Sequence, residues 1–276
     1  MNRQNQKLRV GVIGAGYLGK FHAEKYARMA GVDLVAVVDV DKSRAQKTAD
    51  RFKTQAYTRH TDIYDKVEAV SVVTPTPLHY PISRDFIVKG VDVLIEKPMT
   101  TTLDEADELI ALARSQGLII QVGHLERFNP AVIALEDVID GPMFVESHRL
   151  SLFKDRAIEV SVVLDLMIHD IDILLNFIGS KIKRIHASGV AVFTDQVDIA
   201  NARLEFESGC VANVTTSRVS MKNQRKIRLF QKNAYIAVDF AKREIITVRK
   251  GDANEQGPIP GMHVSGHQFE EEDPLN

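Results

Sequence analysis

Short β-rich runs alternate with amphipathic stretches from the N-terminus as far as Val122, and this alternation leaves few folds open. Arg9–Ile13, Asp33–Asp39, Ala69–Val73, Val91–Ile95 and Leu118–Val122 read as strands, with Leu18–Ala30, Lys42–Phe52, Tyr80–Lys89 and Leu103–Ser115 as the helices between them. Strands joined through helices are parallel, and right-handed crossovers stack them into one doubly wound sheet covered by helices on both faces. After about Gly123 the texture changes. An irregular segment and one long apolar stretch precede strand-like runs at Lys183–Val192, Ile199–Glu207, Cys210–Ser217, Lys226–Phe230, Ala234–Phe240 and Glu244–Arg249. Polar turns between those runs predict a mostly antiparallel sheet. The fold class is therefore α/β, with a first domain over 1–123 and a second over 124–276, and a chain of 276 residues has room for both. From Gly251 onward the chain is rich in Gly, Pro and acids and reads as a mobile loop.

The apolar stretch, Val160 to Ile178, carries Asp165, His169, Asp172 and Asn176 at offsets 0, +4, +7 and +11, which places them on one stripe of a helix. Nearly every other side of that helix is apolar, so it is expected to be buried. Polar groups buried with it need partners or a ligand-filled cavity. The stripe thus reads as an active-site wall; the plainer alternative is a surface helix showing its polar edge to water. The run is long enough to span a bilayer, but its carboxylates and histidine argue against that.

A formal net charge of −2 with both signs interspersed creates no field for nucleic acid or anionic lipid, which leaves a small molecule as the expected partner. The single cysteine, Cys210, excludes an intramolecular disulfide, and MNRQNQKLRV at the N-terminus has no apolar signal core. Both features point to the cytoplasm. Cys210 itself reads as a small core residue.

Gly14-Ala15-Gly16-Tyr17-Leu18-Gly19 has dinucleotide-loop spacing and sits between a strand and a helix. Gly14 permits the tight turn, Gly16 lets backbone approach a pyrophosphate, Gly19 lets helix pack on sheet, and the helix N-terminus meets the anion. Asp39 ends the second strand, where a carboxylate accepts ribose hydroxyls and repels a 2′-phosphate, so NAD is favoured over NADP, although Arg44 nearby blurs the preference. Thr74-Pro75-Thr76-Pro77 ends the next strand abruptly and holds an extended loop at the carboxyl edge of the sheet, with His79 just beyond. His79 reads either as a site residue or as one that caps the following helix or is solvated. Glu96-Lys97-Pro98 ends the following strand and projects an ammonium into the crevice where such sheets bind ligands, with Glu96 near enough to tune it.

This order of motifs, GxGxxG, an acid after the second strand, TPxPxH, EKP and then Asp165-x-x-x-His169, resembles the glucose-fructose oxidoreductase and inositol dehydrogenase family, Gfo/Idh/MocA, over essentially the whole chain. The resemblance implies an N-terminal Rossmann domain, NAD as cofactor, and a C-terminal α/β domain whose open sheet serves oligomer contacts, as a homodimer or homotetramer. It also implies hydride transfer between a nicotinamide and a sugar or cyclitol carbon. By resemblance, Lys97 and His169 are the catalytic pair and Asp165 assists at the substrate hydroxyls. Cofactor contacts are implied for Gly14, Gly16, Tyr17, Leu18, Gly19, Asp39, Thr74, Pro75, His79, Glu96 and Lys97. Members usually continue with a helix that returns to the nucleotide domain, so the C-terminus is expected to be truncated or shortened.

Within the family, His124-Leu125-Glu126-Arg127-Phe128-Asn129-Pro130 and the basic run from Arg218 to Arg228 look most like the nucleotide-sugar branch. That implies oxidation of the 3-hydroxyl of UDP-N-acetylglucosamine, with His124, Arg127, Asp165, His169, Arg218 and Arg225 as substrate residues. The basic residues Arg127, Arg218, Lys222, Arg225 and Arg228 are candidates to pair a pyrophosphate, arginine being suited to bidentate phosphate contacts. The alternative for them is a solvated strand edge. Either His169 or Lys97 can serve as the base; the sequence leaves this open. An inositol or free-sugar dehydrogenase, a non-catalytic NAD or sugar sensor, and a scaffold with a structural nucleotide site are the other readings. His263 and His267 have ligand-like spacing but no third ligand nearby, so no metal is expected.

Overall fold

A computed structural model describes residues 6–154, 158–251 and 262–269. Among these residues the chain divides after Gly123 into two compact units.

The first unit runs β1 (Leu8–Ile13), α1 (Tyr17–Arg28), β2 (Val32–Val38), α2 (Lys42–Phe52), β3 (Gln55–Tyr57), β4 (Ala69–Val72), α3 (His79–Val88), β5 (Asp92–Glu96), α4 (Leu103–Gln116) and β6 (Ile120–Gly123). Its strands are all parallel, in the order β3-β2-β1-β4-β5-β6. The near-continuous β-branched runs explain this arrangement, because a parallel sheet is buried on both faces. Phe86 and Ile87 of α3 and Leu109 and Ala113 of α4 cover one face, where they pack on Val70, Val93 and Ile95. On the other face Ala23 and Tyr26 of α1, with Phe52 of α2, pack on Val12, Leu34 and Val37. Strand order reverses between β1 and β4, so the glycine loop and the Thr74 loop flank the switch point where sheets of this kind bind ligands.

The second unit contains a 3₁₀ turn (Leu125–Phe128), α5 (Pro130–Ile133), β7 (Phe144–Leu150) and a π-helical segment (Val163–Met167) that runs into α6 (Ile168–Ile178). The strands β8 (Ile182–Val190), β9 (Ile199–Phe206), β10 (Val211–Ser217), β11 (Gln224–Gln231), β12 (Ala234–Asp239), β13 (Glu244–Lys250) and β14 (Met262–Gln268) follow. The sheet order is β14-β13-β12-β11-β7-β10-β9-β8. Only β7 and β10 pair in parallel; every other neighbouring pair is antiparallel. One face packs on Leu135, Ile173 and Leu174 through Val145, Leu204, Val214, Ile227, Leu229 and Ile236.

Three strands differ from the sequence expectation. β3 is too short to show a period. β7 lies in the segment read as irregular, because its core-facing positions are Val145, Ser147 and Arg149, and two polar residues there erase the apolar alternation. β14 falls within the stretch from Gly251 that was expected to be a mobile loop; the rest of that expectation, over 252–261 and 270–276, lies outside the described residues. The expected helix from Val160 also begins differently. Its first turns are π-helical, and Leu175 and Asn176 are exposed, so the helix is half-buried rather than enclosed.

Asp198 anchors the approach to β9. One carboxylate oxygen accepts the N–H groups of Val192, Phe193 and Thr194 at 2.7 to 2.9 Å, and the other accepts the Thr194 hydroxyl at 2.8 Å. Burial alone raises its pKa, but these donors outweigh burial and hold it well below the usual carboxylate range. A depressed folded-state pKa contributes stability that is present above about pH 4 and lost as pH falls through the folded value. Asp198→Asn is therefore expected to destabilise the protein by about 2 kcal/mol near neutrality, and the gap from the parent should close on acidification. Urea melts at several pH values that showed a constant gap would contradict this.

Candidate active site

The glycine loop follows β1 at the switch point. Gly14 has φ +100°, and a Cβ there would lie 2.4 Å from the Val73 carbonyl oxygen, so both its conformation and its contact require glycine. A Cβ at Gly19 would lie 1.8 Å from the Gly14 carbonyl oxygen. Gly16 is different, since a Cβ there would meet nothing within 4 Å. Steric exclusion explains Gly14 and Gly19 from within, whereas the openness at Gly16 leaves room for a group from outside. The start of α1 agrees with that. Asp41 caps α2 and a Thr102–Glu105 capping box closes α4, but Gly16 gives α1 no side-chain cap, and its first turn has no acid. Its N–H groups are thus directed at an external acceptor.

Asp39 is buried at the end of β2 and organises this loop. Its Oδ2 accepts the Ala15 N–H at 2.8 Å, its Oδ1 accepts the Asp41 N–H at 2.9 Å, and Arg44 Nη1 stands 3.5 Å from Oδ2. Tyr17 and Leu18 are exposed beside the loop. Across the switch point, Thr74 Oγ1 is buried without a hydrogen-bond partner among the described residues, as suits a hydroxyl that receives a ligand. Gly16, the uncapped helix and Thr74 together fit a dinucleotide.

His79 neither caps a helix through its side chain nor faces solvent. It is buried, its Nδ1 and Nε2 each 2.8 Å from a backbone carbonyl oxygen, those of Pro98 and Thr74 respectively. The ring thus ties the Thr74 loop to the turn after Lys97. Pro75 is exposed. Glu96 is buried, and its Oε2 accepts the backbone N–H of Lys97, which is half-buried and follows β5, at 3.2 Å. The Lys97–Pro98 peptide is cis.

In the second unit, Asp165 lies in the π-helical segment and His169 in the first turn of α6, both half-buried. π-Turns recur at functional sites. Asp172, expected on the same stripe, is taken up by Arg127, whose Nε and Nη2 donate to its two oxygens at 2.7 and 2.6 Å. His124 Nδ1 is buried 3.8 Å from Asp172 and has no hydrogen-bond partner among the described residues. Sequence reasoning missed the neighbouring cluster. Arg149 of β7 donates to Asp170 at 2.9 to 3.1 Å and to Glu126 at 2.9 Å, in surroundings nearly closed to water. Burial disfavours the Arg149 charge, but Asp170 and Glu126 outweigh it and raise its pKa above the ordinary arginine value. A carboxylate off the polar stripe of an apolar helix was the available signal, since it requires a buried partner.

Strand alternation splits the basic cluster. Arg225 shares the core-facing parity of Ile227 and Leu229 at the start of β11, whereas Lys226 and Arg228 lie on the opposite, open face. There they pair with Asp239 at 3.2 Å and Glu146 at 2.9 Å. Arg218 departs most from expectation. It is buried, donates to the Val160 carbonyl at 2.6 Å and stands 3.6 Å from Asp198, so it joins chain segments instead of facing a ligand. Lys222 and Arg225 remain exposed. His263 and His267 lie on β14, and no group of three metal-binding side chains occurs among the described residues. Cys210 is buried, and burial raises its thiol pKa, as for a core residue.

Residues 8–124 match the family model described as an oxidoreductase family with an NAD-binding Rossmann fold, and residues 140–237 match the Gfo/Idh/MocA C-terminal domain. The chain belongs to the Gfo/Idh/MocA oxidoreductase family. UDP-N-acetylglucosamine 3-dehydrogenase from Acidithiobacillus ferrooxidans is 37% identical to this Gfo/Idh/MocA protein over 269 residues, which is 97% of this chain and 85% of the relative. A solved structure of that enzyme superposes with a TM-score of 0.89 at 36% identity, covering 98% of this chain and 85% of the other. The NAD-dependent scyllo-inositol 2-dehydrogenase of Bacillus subtilis is 30% identical over 288 residues, 95% of this chain and 82% of the relative. As a member, the chain is an oxidoreductase with NAD as its cofactor, and it pairs a parallel Rossmann sheet with a mixed, mostly antiparallel one. Among the described residues no helix is long and apolar enough to cross a membrane.

Proposed function

We propose that this oxidoreductase oxidises a secondary hydroxyl of a nucleotide sugar, the 3-hydroxyl of UDP-N-acetylglucosamine, to the ketone. The observation that carries this reading is the full-length similarity to the A. ferrooxidans enzyme of that name. NAD, when bound, accepts the hydride. Gly16 and the first N–H groups of α1 would hold its pyrophosphate, in a loop whose turn and packing Gly14 and Gly19 make possible, Asp39 would hold its ribose hydroxyls, and Thr74 Oγ1 a further polar group. The hydroxyl proton passes to Lys97 Nζ or to the His169 ring, and the group that does not take it hydrogen-bonds the developing alkoxide. Asp165 assists at the substrate hydroxyls. His124, Arg225 and Arg127, whose side chain stays 47% exposed beside Asp172, are assigned to the substrate, and Arg218 is left out because it is buried.

The test is NADH formation on UDP-N-acetylglucosamine, N-acetylglucosamine and inositols, with NAD and NADP compared. Two charge-assisted phosphate contacts contribute roughly 3 kcal/mol or more, so kcat/KM should fall by at least about 10²-fold when UDP is removed. Asp39→Ala should narrow the preference for NAD over NADP. Equal kcat/KM on inositol would favour the second reading, an inositol dehydrogenase, for which the similarity to the B. subtilis enzyme speaks.

The protein is further assigned to the cytoplasm, with its single cysteine in support. It is assigned as a homodimer or homotetramer through the open face of the second sheet, where the cross-strand pair Val190 of β8 and Ile199 of β9 is exposed at 59% and 39%. Light scattering that returned the mass of one chain would overturn the assembly.

A further inference from the structure

A line of hydrogen bonds runs inside the first unit from α1 to the active-site lysine. Tyr26 Oη lies 2.6 Å from Ser71 Oγ on β4, Ser71 Oγ lies 3.2 Å from His22 Nδ1, and His22 Nε2 lies 3.0 Å from Glu96 Oε1. Glu96 Oε2 accepts the Lys97 N–H at 3.2 Å. His22 and Tyr26 stand four residues apart on one face of α1. Ser71 and Glu96 are almost wholly buried, and burial raises the Tyr26 pKa.

The space for this line is built into the sheet. Glu96 pairs in register with Gly123 on β6, and a Cβ at 123 would come within 3.0 Å of Glu96 Oε1. The carboxylate therefore occupies room that any side chain at 123 would claim. Each of its oxygens has a different partner, His22 for one and the Lys97 peptide for the other, so the group cannot rotate without leaving one unmet in a buried place. Packing α1 on the sheet does not call for a histidine at this position; an apolar residue would serve. Histidine brings a ring N–H to a fixed carboxylate.

We propose that His22 is a positioning residue for hydride transfer, acting through Glu96 on the peptide that carries Lys97. The inference rests on the reading of Lys97 as an active-site group. Since α1 begins at the glycine loop, one hydrogen-bonded line sets both the helix that opens on the pyrophosphate and the turn that bears the lysine. Misplacement of a reacting group by about 1 Å costs about 10²-fold in rate, so the link has a kinetic consequence.

The experiment compares His22→Leu, His22→Gln, Glu96→Gln and Lys97→Met in steady-state turnover with NAD and UDP-N-acetylglucosamine. His22→Leu should lower kcat by about 10- to 100-fold with both KM values within about twofold. His22→Gln, whose carboxamide N–H reaches the same oxygen, should recover most of kcat, and its pH profile should superimpose on the parent's because His22 transfers no proton. Parental kcat in His22→Leu, a loss confined to KM, glutamine no better than leucine, or a displaced limb in the pH profile would each overturn the proposal. If His22→Leu does not fold, Glu96→Gln carries the test: it should also lower kcat, and parental turnover would overturn the link. Parental turnover in Lys97→Met would instead remove the underlying reading of Lys97 and the proposal with it. An inert Lys97→Met beside a fully active His22→Leu would sink the link alone.

Discussion

Lys97→Met should lower kcat by roughly 10²–10⁴-fold while NAD still binds, because methionine keeps most of the length and apolar stem of lysine and removes only the ammonium. The lysine follows β5 at the carboxyl edge of the parallel sheet, its peptide N–H held by Glu96. A loss in kcat without a loss in cofactor affinity marks a group that acts in the transition state. Rates of NADH formation and calorimetric titration with NAD separate the two quantities. His169→Asn should behave likewise, and near-normal turnover in both variants would remove the pair from the reaction.

Arg149→Met should destabilise the protein by about 3–5 kcal/mol, the usual consequence of removing one partner from a buried ion pair. The guanidinium is 3% exposed in its side chain and holds Asp170 and Glu126 together. Without it the Asp170 carboxylate is left nearly dry beside a partly exposed Glu126 that has also lost its cation. The ionic tie between α6 and the 3₁₀ turn over Leu125–Phe128 would then fall to Arg127 and Asp172. A shift in urea midpoint with an unchanged slope is the expected readout. Adding Asp170→Leu to Arg149→Met should restore much of the loss, because an apolar pair of similar size is tolerated where half an ion pair is not. A single variant as stable as the parent would show that the cluster contributes nothing to the fold.

The parallel sheet was legible because its evidence is local: apolar runs, intervening amphipathic helices, and glycines at Gly14, Gly16 and Gly19 whose spacing and setting agree. The family and its cofactor followed from that order of motifs, and the matches over 8–124 and 140–237 agree with it. What stayed hidden depends on partners distant in sequence. β7 carries Ser147 and Arg149 toward the core, and no periodicity rule expects that. Asp170 stood one residue from the recognised His169, but only the fold supplies its Arg149. His79 was legible as important and not as a tie between two carbonyls. The basic residues after Ser217 looked like one cluster along the chain, yet alternation sends Arg225 one way and Arg228 the other, and Arg218 goes inward.

The parallel pairing of β7 with β10 has a bearing on how the second unit is made. β7 lies between β10 and β11, yet the chain must deliver α6, β8 and β9 before either of them. On emerging from the ribosome, this strand has both edges open and no neighbour to close them. Its inward Ser147 and Arg149 make it a poor template for a stray apolar strand, much as charged residues guard exposed edges elsewhere. The polar residues that concealed β7 from pattern reading thus also lower its apolar content over the longest interval, along the chain, before a partner strand is made.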